Sequence, residues 1–336
     1  MPTTDLTISE YCSAGYLTNL CRRDVCFALP QGYQLELVES AIDFDAHLII
    51  FGEGLNVETL GQVQRHLAAH IEIISYSRGN EISTGFAIEA KIKILSPQQL
   101  ASQIEFTAIA THAEIALLTK RPTLAKPGLL VMDMDSTVIG IECIDEIAKL
   151  AGVGEQVSEV TELAMQGKLD FAQSLISRVK CLTGADEAIL QTVRDGLPIN
   201  PGISPLLHRL KQANWKLAIA SGGFTFFADY LKDRLGLDFC ISNQLEIKQQ
   251  RLTGRVLGDI VNAQTKADTL LQLATQYEID IAQTIALGDG ANDLVMMGQA
   301  GLGVAYHAKP IVRQQADAAV RFSSADTLLA YLSTDS

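Results

Sequence analysis

The sequence predicts an α/β protein whose main sheet is parallel, interrupted by an inserted helical cap and preceded by a small N-terminal α/β domain. Three observations predict it. Three short apolar runs, far apart in the chain, each stop at a cluster of small and polar residues. Roughly 80 residues of mostly helical periodicity separate the first run from the second, far beyond an ordinary strand-to-helix connection. Two prolines and a glycine between Arg121 and Gly128 divide these runs from an N-terminal part of mixed pattern.

The 336 residues suit two or three domains, and 48% hydrophobic residues supply real cores. With 39 acidic against 26 basic residues the formal net charge is −13, and the pI is near 4.9. That balance argues against a general binder of nucleic acid or anionic membrane, which would need excess Lys and Arg. It leaves room for a phosphorylated small molecule, provided a cation neutralises the site locally. Met1-Pro2-Thr3-Thr4-Asp5 carries no basic, then apolar, leader pattern, and no apolar run approaches the length of a membrane span. Cys12, Cys21, Cys26, Cys143, Cys181 and Cys240 form no CxxC pair, so reduced structural thiols and a cytoplasmic location are expected.

Taken in order, the first 30 residues show little periodicity and read as an irregular lead-in. Ala46–Phe51 reads as a buried strand, and residues 57–70 as a helix with Leu60, Val63 and Leu67 on one face. Residues 71–76 and 86–95 read as strands, the second with alternation. Pro97 opens a predicted helix in which Leu100, Ile104, Ala108 and Ile115 share a side. These pieces form the N-terminal domain, residues 1–120, with a linker over 121–128.

Beyond the linker, Leu129-Leu130-Val131-Met132 runs into Asp133-Met134-Asp135-Ser136-Thr137. Leu217-Ala218-Ile219-Ala220 runs into Ser221-Gly222-Gly223-Phe224, and Thr284-Ile285-Ala286-Leu287 into Gly288-Asp289-Gly290-Ala291-Asn292-Asp293. Continuous apolar strands alternating with helical patterns indicate a Rossmann-like parallel sheet buried on both faces, whose carboxyl edge lines the ligand crevice. The three polar clusters therefore belong on one edge. The core is expected over 129–141 and 205–336, the cap over 142–204, and a small β-hairpin excursion over 242–258 around Gln249-Gln250-Arg251. Gly301-Leu302-Gly303-Val304 reads as a last strand.

Asp133 and Asp135, two residues apart at a strand end, would repel unless a proton or a cation intervened. Mg²⁺, which takes hard oxygens and phosphate, answers that need, and Asp289 and Asp293 offer more such oxygens. Any one of these acids alone is as readily a turn former or a helix cap; four on one edge point to metal and phosphate. Ser221-Gly222-Gly223 alone is a flexible turn, and Lys266 in isolation a solvated surface lysine. Beside an acidic phosphate site they become an anion corner and a fixed positive charge. His47, His66, His70, His112, His208 and His307 form no ligand pattern.

Asp133-x-Asp135-Ser136-Thr137, Ser221-Gly222-Gly223, Lys266 and Gly288-Asp289-Gly290-Ala291-Asn292-Asp293 resemble, in order and spacing, the four motifs of the haloacid-dehalogenase-like phosphohydrolases. Glu142, Met165, Phe171 and Arg178 resemble the cap pattern of the branch of that family that acts on phosphoserine. The resemblance covers residues 128–324, and the N-terminal part resembles the extra domain of longer bacterial versions, a regulatory or dimerising unit. It implies Asp133 as nucleophile forming an aspartyl-phosphate, and Asp135 as the acid and then the base. It implies Mg²⁺ held by Asp133, the Asp135 backbone carbonyl and Asp289, with Asp293 orienting Lys266 or metal-bound water. Ser221, Gly222, Lys266 and Asn292 would grip the phosphoryl group. Glu142 would meet the ammonium of O-phosphoserine and Arg178 its carboxylate, with Met165 and Phe171 as apolar walls. The alternatives are a capped phosphatase or phosphotransferase for another small phosphate, and a phospho-accepting signalling module.

Overall fold

The computed structural model describes residues 26–29, 36–38, 43–52, 54–166 and 168–333. Cys12, Cys21 and most of the expected lead-in lie outside them. The chain divides into two compact units, residues 1–126 with 304–336, and residues 127–303.

In the first unit the strands are β1 (Cys26–Ala28), β2 (Glu36–Val38), β3 (Ala46–Phe51), β4 (Ile71–Ile82), β5 (Gly85–Ile94) and β6 (Glu114–Leu118). Helix α1 (Val57–Leu67) joins β3 to β4 and α2 (Leu100–Thr111) joins β5 to β6. The sheet order is β2-β1-β4-β5-β3-β6, with antiparallel pairing between neighbours. From β3 to β6 this is the split βαβ arrangement. Leu48 and Ile50 of β3 and Ile88, Ala90 and Ile92 of β5 pack with Leu60, Val63 and Leu67 of α1 and Ile104 and Ala108 of α2. The Asn56 side chain caps α1 by accepting the Thr59 N–H at 2.8 Å.

Several bounds differ from the sequence reading. Helix α2 ends at Thr111, where His112 turns left-handed (φ 50°), so Ile115 belongs to β6 opposite Ile50 rather than to the helix. Helix α1 stops at Leu67, and β4 continues to Ile82.

The second unit holds β7 (Leu129–Met132), β8 (Lys216–Phe224), β9 (Phe239–Lys248), β10 (Arg251–Leu257) and β11 (Thr284–Gly288), in the order β10-β9-β8-β7-β11. β7 pairs in parallel with β8 and β11, and β8 with β9; only β10 is antiparallel to its neighbour. All four residues of β7 are buried, as a central strand of a two-faced sheet requires. Between β7 and β8 come α3 (Cys143–Leu150), α4 (Gly154–Met165), α5 (Phe171–Cys181), α6 (Ala188–Asp195) and α7 (Ile203–Gln212). Helices α3 to α6 are the cap. The chain enters and leaves it side by side, with Ile139 bridged to Ile199 and the Gly140 N–H donating to Pro198 O at 2.9 Å. The β9–β10 hairpin braces the cap through three backbone hydrogen bonds: Gly184 to Leu252, Leu252 to Ala185, and Glu187 to Gln250. Helices α8 (Thr225–Leu235) and α9 (Ala263–Gln276) complete the connections that bear on the site.

Residues 304–333 group with the first unit. Buried Glu114 accepts the backbone N–H groups of Arg321, Phe322 and Ser323, and the Asn80 amide donates to Leu329 O and Leu332 O. The expected linker is likewise tied, Thr123 being bridged to Ser333. Among the described residues no helix is long and apolar enough to cross a membrane, and Cys26, Cys143, Cys181 and Cys240 are free thiols.

Candidate active site

β7 delivers Asp133 to the carboxyl edge of the parallel sheet, where its N–H still joins the ladder to Leu287 O at 2.9 Å. The chain then turns abruptly. Asp135 is extended and Ser136 is left-handed at φ 56°, a conformation that costs a non-glycine residue about 1 kcal/mol. Local bonds hold the turn. Ser136 N–H donates to Ile141 O, its hydroxyl donates to Glu142 Oε1 at 2.7 Å, and the Cys143 N–H donates to Asp135 Oδ1 at 3.2 Å. Thr137 donates to Asp289 Oδ1 at 3.1 Å, linking the first cluster to the third. Asn200, where the chain leaves the cap, donates to Thr137 O at 2.9 Å.

The second cluster closes another wall. A side chain at Gly222 would meet the Phe171 ring at 2.6 Å, and one at Gly223 would meet Asp135 Oδ2 at 2.6 Å. Two glycines are needed here because the cap and the first cluster both press on this turn.

These elements enclose a cavity of about 280 Å³ lined by Asp133, Asp135, Glu142, Phe171, Arg178, Ser221, Gly222, Asp289 and Asn292, among others. Lys266 and Asp293 stand behind this wall. The Lys266 ammonium is buried, 2.9 Å from Asp133 Oδ2 and 2.7 Å from Asp293 Oδ1. The sequence reading sets Lys266 among the groups that grip the phosphoryl oxygens; its ammonium lies between the Asp133 and Asp293 carboxyls. Met165 ends α4, and its side chain lies outside the described residues.

Negative charge dominates. Asp133, Asp135, Glu142, Asp289 and Asp293 gather around Lys266 and Arg178, so carboxyl groups outnumber cations. Burial, then Glu142 and Asp133, pushes Asp135 up to about 8. Burial, then Asp133 and Asp293, pushes Asp289 up to about 7. Burial also raises Glu142 and Asp293 above the ordinary carboxylate range. For Lys266, burial acts downward, but Asp133 and Asp293 outweigh it and hold the ammonium above its usual value. Arg178 lines the cavity, and its Nε is buried without a hydrogen-bond partner among the described residues.

Carboxylate oxygens of Asp133, Asp289 and Asp293 lie within 4.8 Å of one another, a set of hard donors that fits a metal ion. Asp293 accepts from Lys266 and the Gly290 N–H, Asp133 from the Met134 N–H and Lys266, and Asp289 from Thr137 at Oδ1.

A model of the haloacid dehalogenase-like hydrolases matches residues 128–301. The phosphoserine phosphatase of Haemophilus influenzae is 48% identical to this chain over 297 residues, 88% of this chain and 92% of the relative. The chain belongs to the haloacid dehalogenase-like hydrolase family. It is also similar to the phosphoserine phosphatase of Vibrio cholerae, at 58% identity over 235 residues, 70% of this chain and 72% of the relative. A crystal structure of a probable phosphoserine phosphatase from Vibrio cholerae, in unliganded form, superposes with a TM-score of 0.72 at 48% identity, covering 86% of each chain.

In this haloacid dehalogenase-like hydrolase, residues of the first, second and fourth sequence motifs line the cavity, and Lys266 is not among the lining residues. The sequence reading misses the supports: Thr137 on Asp289, Asn200 on the turn after Asp133, and Asn243 behind Gly222. None belongs to a spaced set of charges, and only a long-range hydrogen bond reveals each.

Proposed function

We propose that this chain hydrolyses O-phosphoserine to serine and phosphate, the last step of serine biosynthesis, by way of an aspartyl-phosphate on Asp133. The observation that carries the reading is the pairing of two unlike carboxyl groups on one cavity wall. Asp133 is held by Lys266, while Asp135, pushed up to about 8, retains a proton at neutral pH.

An Asp133 oxygen attacks phosphorus as the bond from phosphorus to the serine oxygen breaks, and Asp135 gives its proton to that oxygen. Serine leaves. Asp135, now a base, takes a proton from water as the water oxygen attacks phosphorus, and the bond to Asp133 breaks to release phosphate. The Ser221 hydroxyl, the backbone at Gly222 and Asn292 grip the phosphoryl oxygens, and Lys266 fixes Asp133 for in-line attack. Across the cavity, Glu142 meets the substrate ammonium and the Arg178 guanidinium meets the carboxylate. Phe171 shields the reacting centre from water.

Asp133, Asp289 and the Asp135 backbone carbonyl would hold Mg²⁺. Bound there, it offsets the repulsion between the nucleophile and the phosphate dianion. On this reading the chain works in the cytoplasm on a small molecule, without nucleic acid or membrane. Residues 142–204 act as the specificity cap, and the N-terminal domain serves regulation or homodimerisation.

Mg²⁺-dependent phosphate release from a panel of phosphorylated amino acids, sugars and nucleotides tests the proposal. Phosphoserine should be preferred by at least about a hundredfold, the worth of two satisfied charge contacts. Equal rates on sugar phosphates would overturn it.

A further inference from the structure

We infer that Asn243, which lies outside the cavity wall, is the positioning residue that aims the phosphate-gripping turn at Ser221-Gly222-Gly223. The inference rests on the phosphatase reading and adds a residue to it.

β8 and β9 run in register up to Ala220 opposite Ile241, and the register shifts before pairing resumes at Phe224 opposite Asn243. The residues between are the phosphate turn. A backbone carbonyl in such a bulge needs another partner if it is buried. Asn243 supplies it: its Nδ2 donates to Gly222 O at 2.8 Å. Its Oδ1 accepts the Val261 N–H at 2.9 Å. Val261 directly precedes Asn262, the side-chain cap of α9, and α9 carries Lys266. One buried amide, 1% exposed, therefore ties the turn to the start of the lysine helix.

The consequence follows from peptide planarity. In a trans peptide the Gly222 carbonyl and the Gly223 N–H point in opposite directions, so fixing the first fixes the second. The Gly223 N–H donates to Ser221 Oγ at 2.9 Å. With its oxygen already accepting, the Ser221 hydroxyl keeps its own proton free to donate to a phosphoryl oxygen. Asn243 thus orients the hydroxyl through two hydrogen bonds and one peptide plane, without touching the substrate.

The test uses the full chain with Mg²⁺ and two variants, Asn243→Ala and Asn243→Asp, with inorganic phosphate and free serine as separate inhibitors. Phosphate reports the turn; serine reports Glu142 and Arg178. For Asn243→Ala, inhibition by phosphate should weaken roughly tenfold, the usual effect of leaving a buried carbonyl unpaired. KM for phosphoserine should rise with it, while inhibition by serine stays within twofold. Asn243→Asp keeps the acceptor for Val261, and when protonated it regains a donor for Gly222. Its phosphate inhibition, as a ratio to wild type, should therefore approach one as pH falls from 8 to 5.5. Two results overturn the assignment: phosphate inhibition within twofold of wild type in both variants, or equal weakening for phosphate and serine. A wild-type chain that neither hydrolyses phosphoserine nor responds to phosphate would instead sink the phosphatase reading itself.

Discussion

Two groups of half-buried carboxyls, one in each unit, behave in opposite ways. In the first unit Glu89 lies beside His47 and 2.7 Å from Arg121, and these partners outweigh burial to hold its carboxyl down to about 2. Glu105 takes Arg313 and Arg321 and is likewise lowered, despite burial acting upward. In the second unit burial and crowding push Asp135 to about 8 and Asp289 to about 7. The first group is charge-balanced and needs nothing more. The second is short of positive charge in the absence of ligands, and that deficit is what a dication and a substrate ammonium would relieve. Structural ion clusters close their own accounts; a site built for a charged ligand leaves one open.

The strongest way to break the comparison is to remove the reacting member of the crowded group. Asp133→Asn should lower phosphate release by at least about 10³-fold, because an amide cannot form the covalent intermediate. Multiple turnover in that variant at more than a tenth of the wild-type rate would reject Asp133 as nucleophile. Next in size is Arg178, the cation that lines the cavity. Arg178→Ala should raise KM for phosphoserine about a hundredfold, about 2.7 kcal/mol, and leave phosphoethanolamine, which has no carboxylate, within about threefold. An equal loss on both substrates would remove Arg178 from carboxylate recognition.

The crowded group was far more legible than the balanced one. Its acids stand at strand ends in clusters with recognisable spacing, and β7, β8 and β11 are short enough and apolar enough to read directly. The helical character of the cap followed from its 3.6-residue period, but the helix Ala188–Asp195 was not singled out by it. Elsewhere the signal failed for physical reasons. Ile115 continues the helical spacing of Ile104 and Ala108 by coincidence, but β6 gains a partner strand in β3 that a longer helix would forgo. Glu114 and Asn80 anchor the last 30 residues to the first unit across more than 200 positions, and no local pattern encodes such a pair. Lys266 looks like a surface lysine until Asp133 and Asp293 are seen around it. Thr137, Asn200 and Asn243 are single polar residues whose roles exist only through contacts distant in sequence.

The third way to sharpen the comparison is by proton and metal. Asp135 and Asp289 have folded values above their ordinary 3.8. Their contribution to stability is therefore fully present below that value and is lost as pH rises through about 7 to 8. The metal-free chain should show a thermal midpoint that falls by several degrees between pH 6 and 8.5. A fixed Mg²⁺ concentration, about a hundred times the dissociation constant at pH 6, should restore about 2.7 kcal/mol there and more at pH 8.5, where protons no longer compete for the Asp289 oxygens. A metal-induced shift of the same size at both pH values would mean that the Asp289 carboxyl is not a ligand.

The smallest expected effect lies in the balanced group. Glu89→Gln removes a carboxylate that Arg121 neutralises and His47 lies against, leaving a buried guanidinium with a weaker acceptor. At pH 7 the loss should be about 1–2 kcal/mol of stability, below the cost of breaking a fully buried pair because the group retains some solvent contact. The sign with pH is opposite to that of the crowded group. A folded value of about 2 against an ordinary 4.5 means the wild-type contribution is complete above about pH 4.5 and disappears as pH falls towards 2. The difference in thermal midpoint between wild type and Glu89→Gln should thus be flat from pH 8 to 5 and shrink below it. Phosphate release at 25 °C should not change. A Glu89→Gln chain that is as stable as wild type at pH 7, or whose deficit grows in acid, would show that this carboxyl is not charge-balanced in the fold and would dissolve the contrast between the two groups.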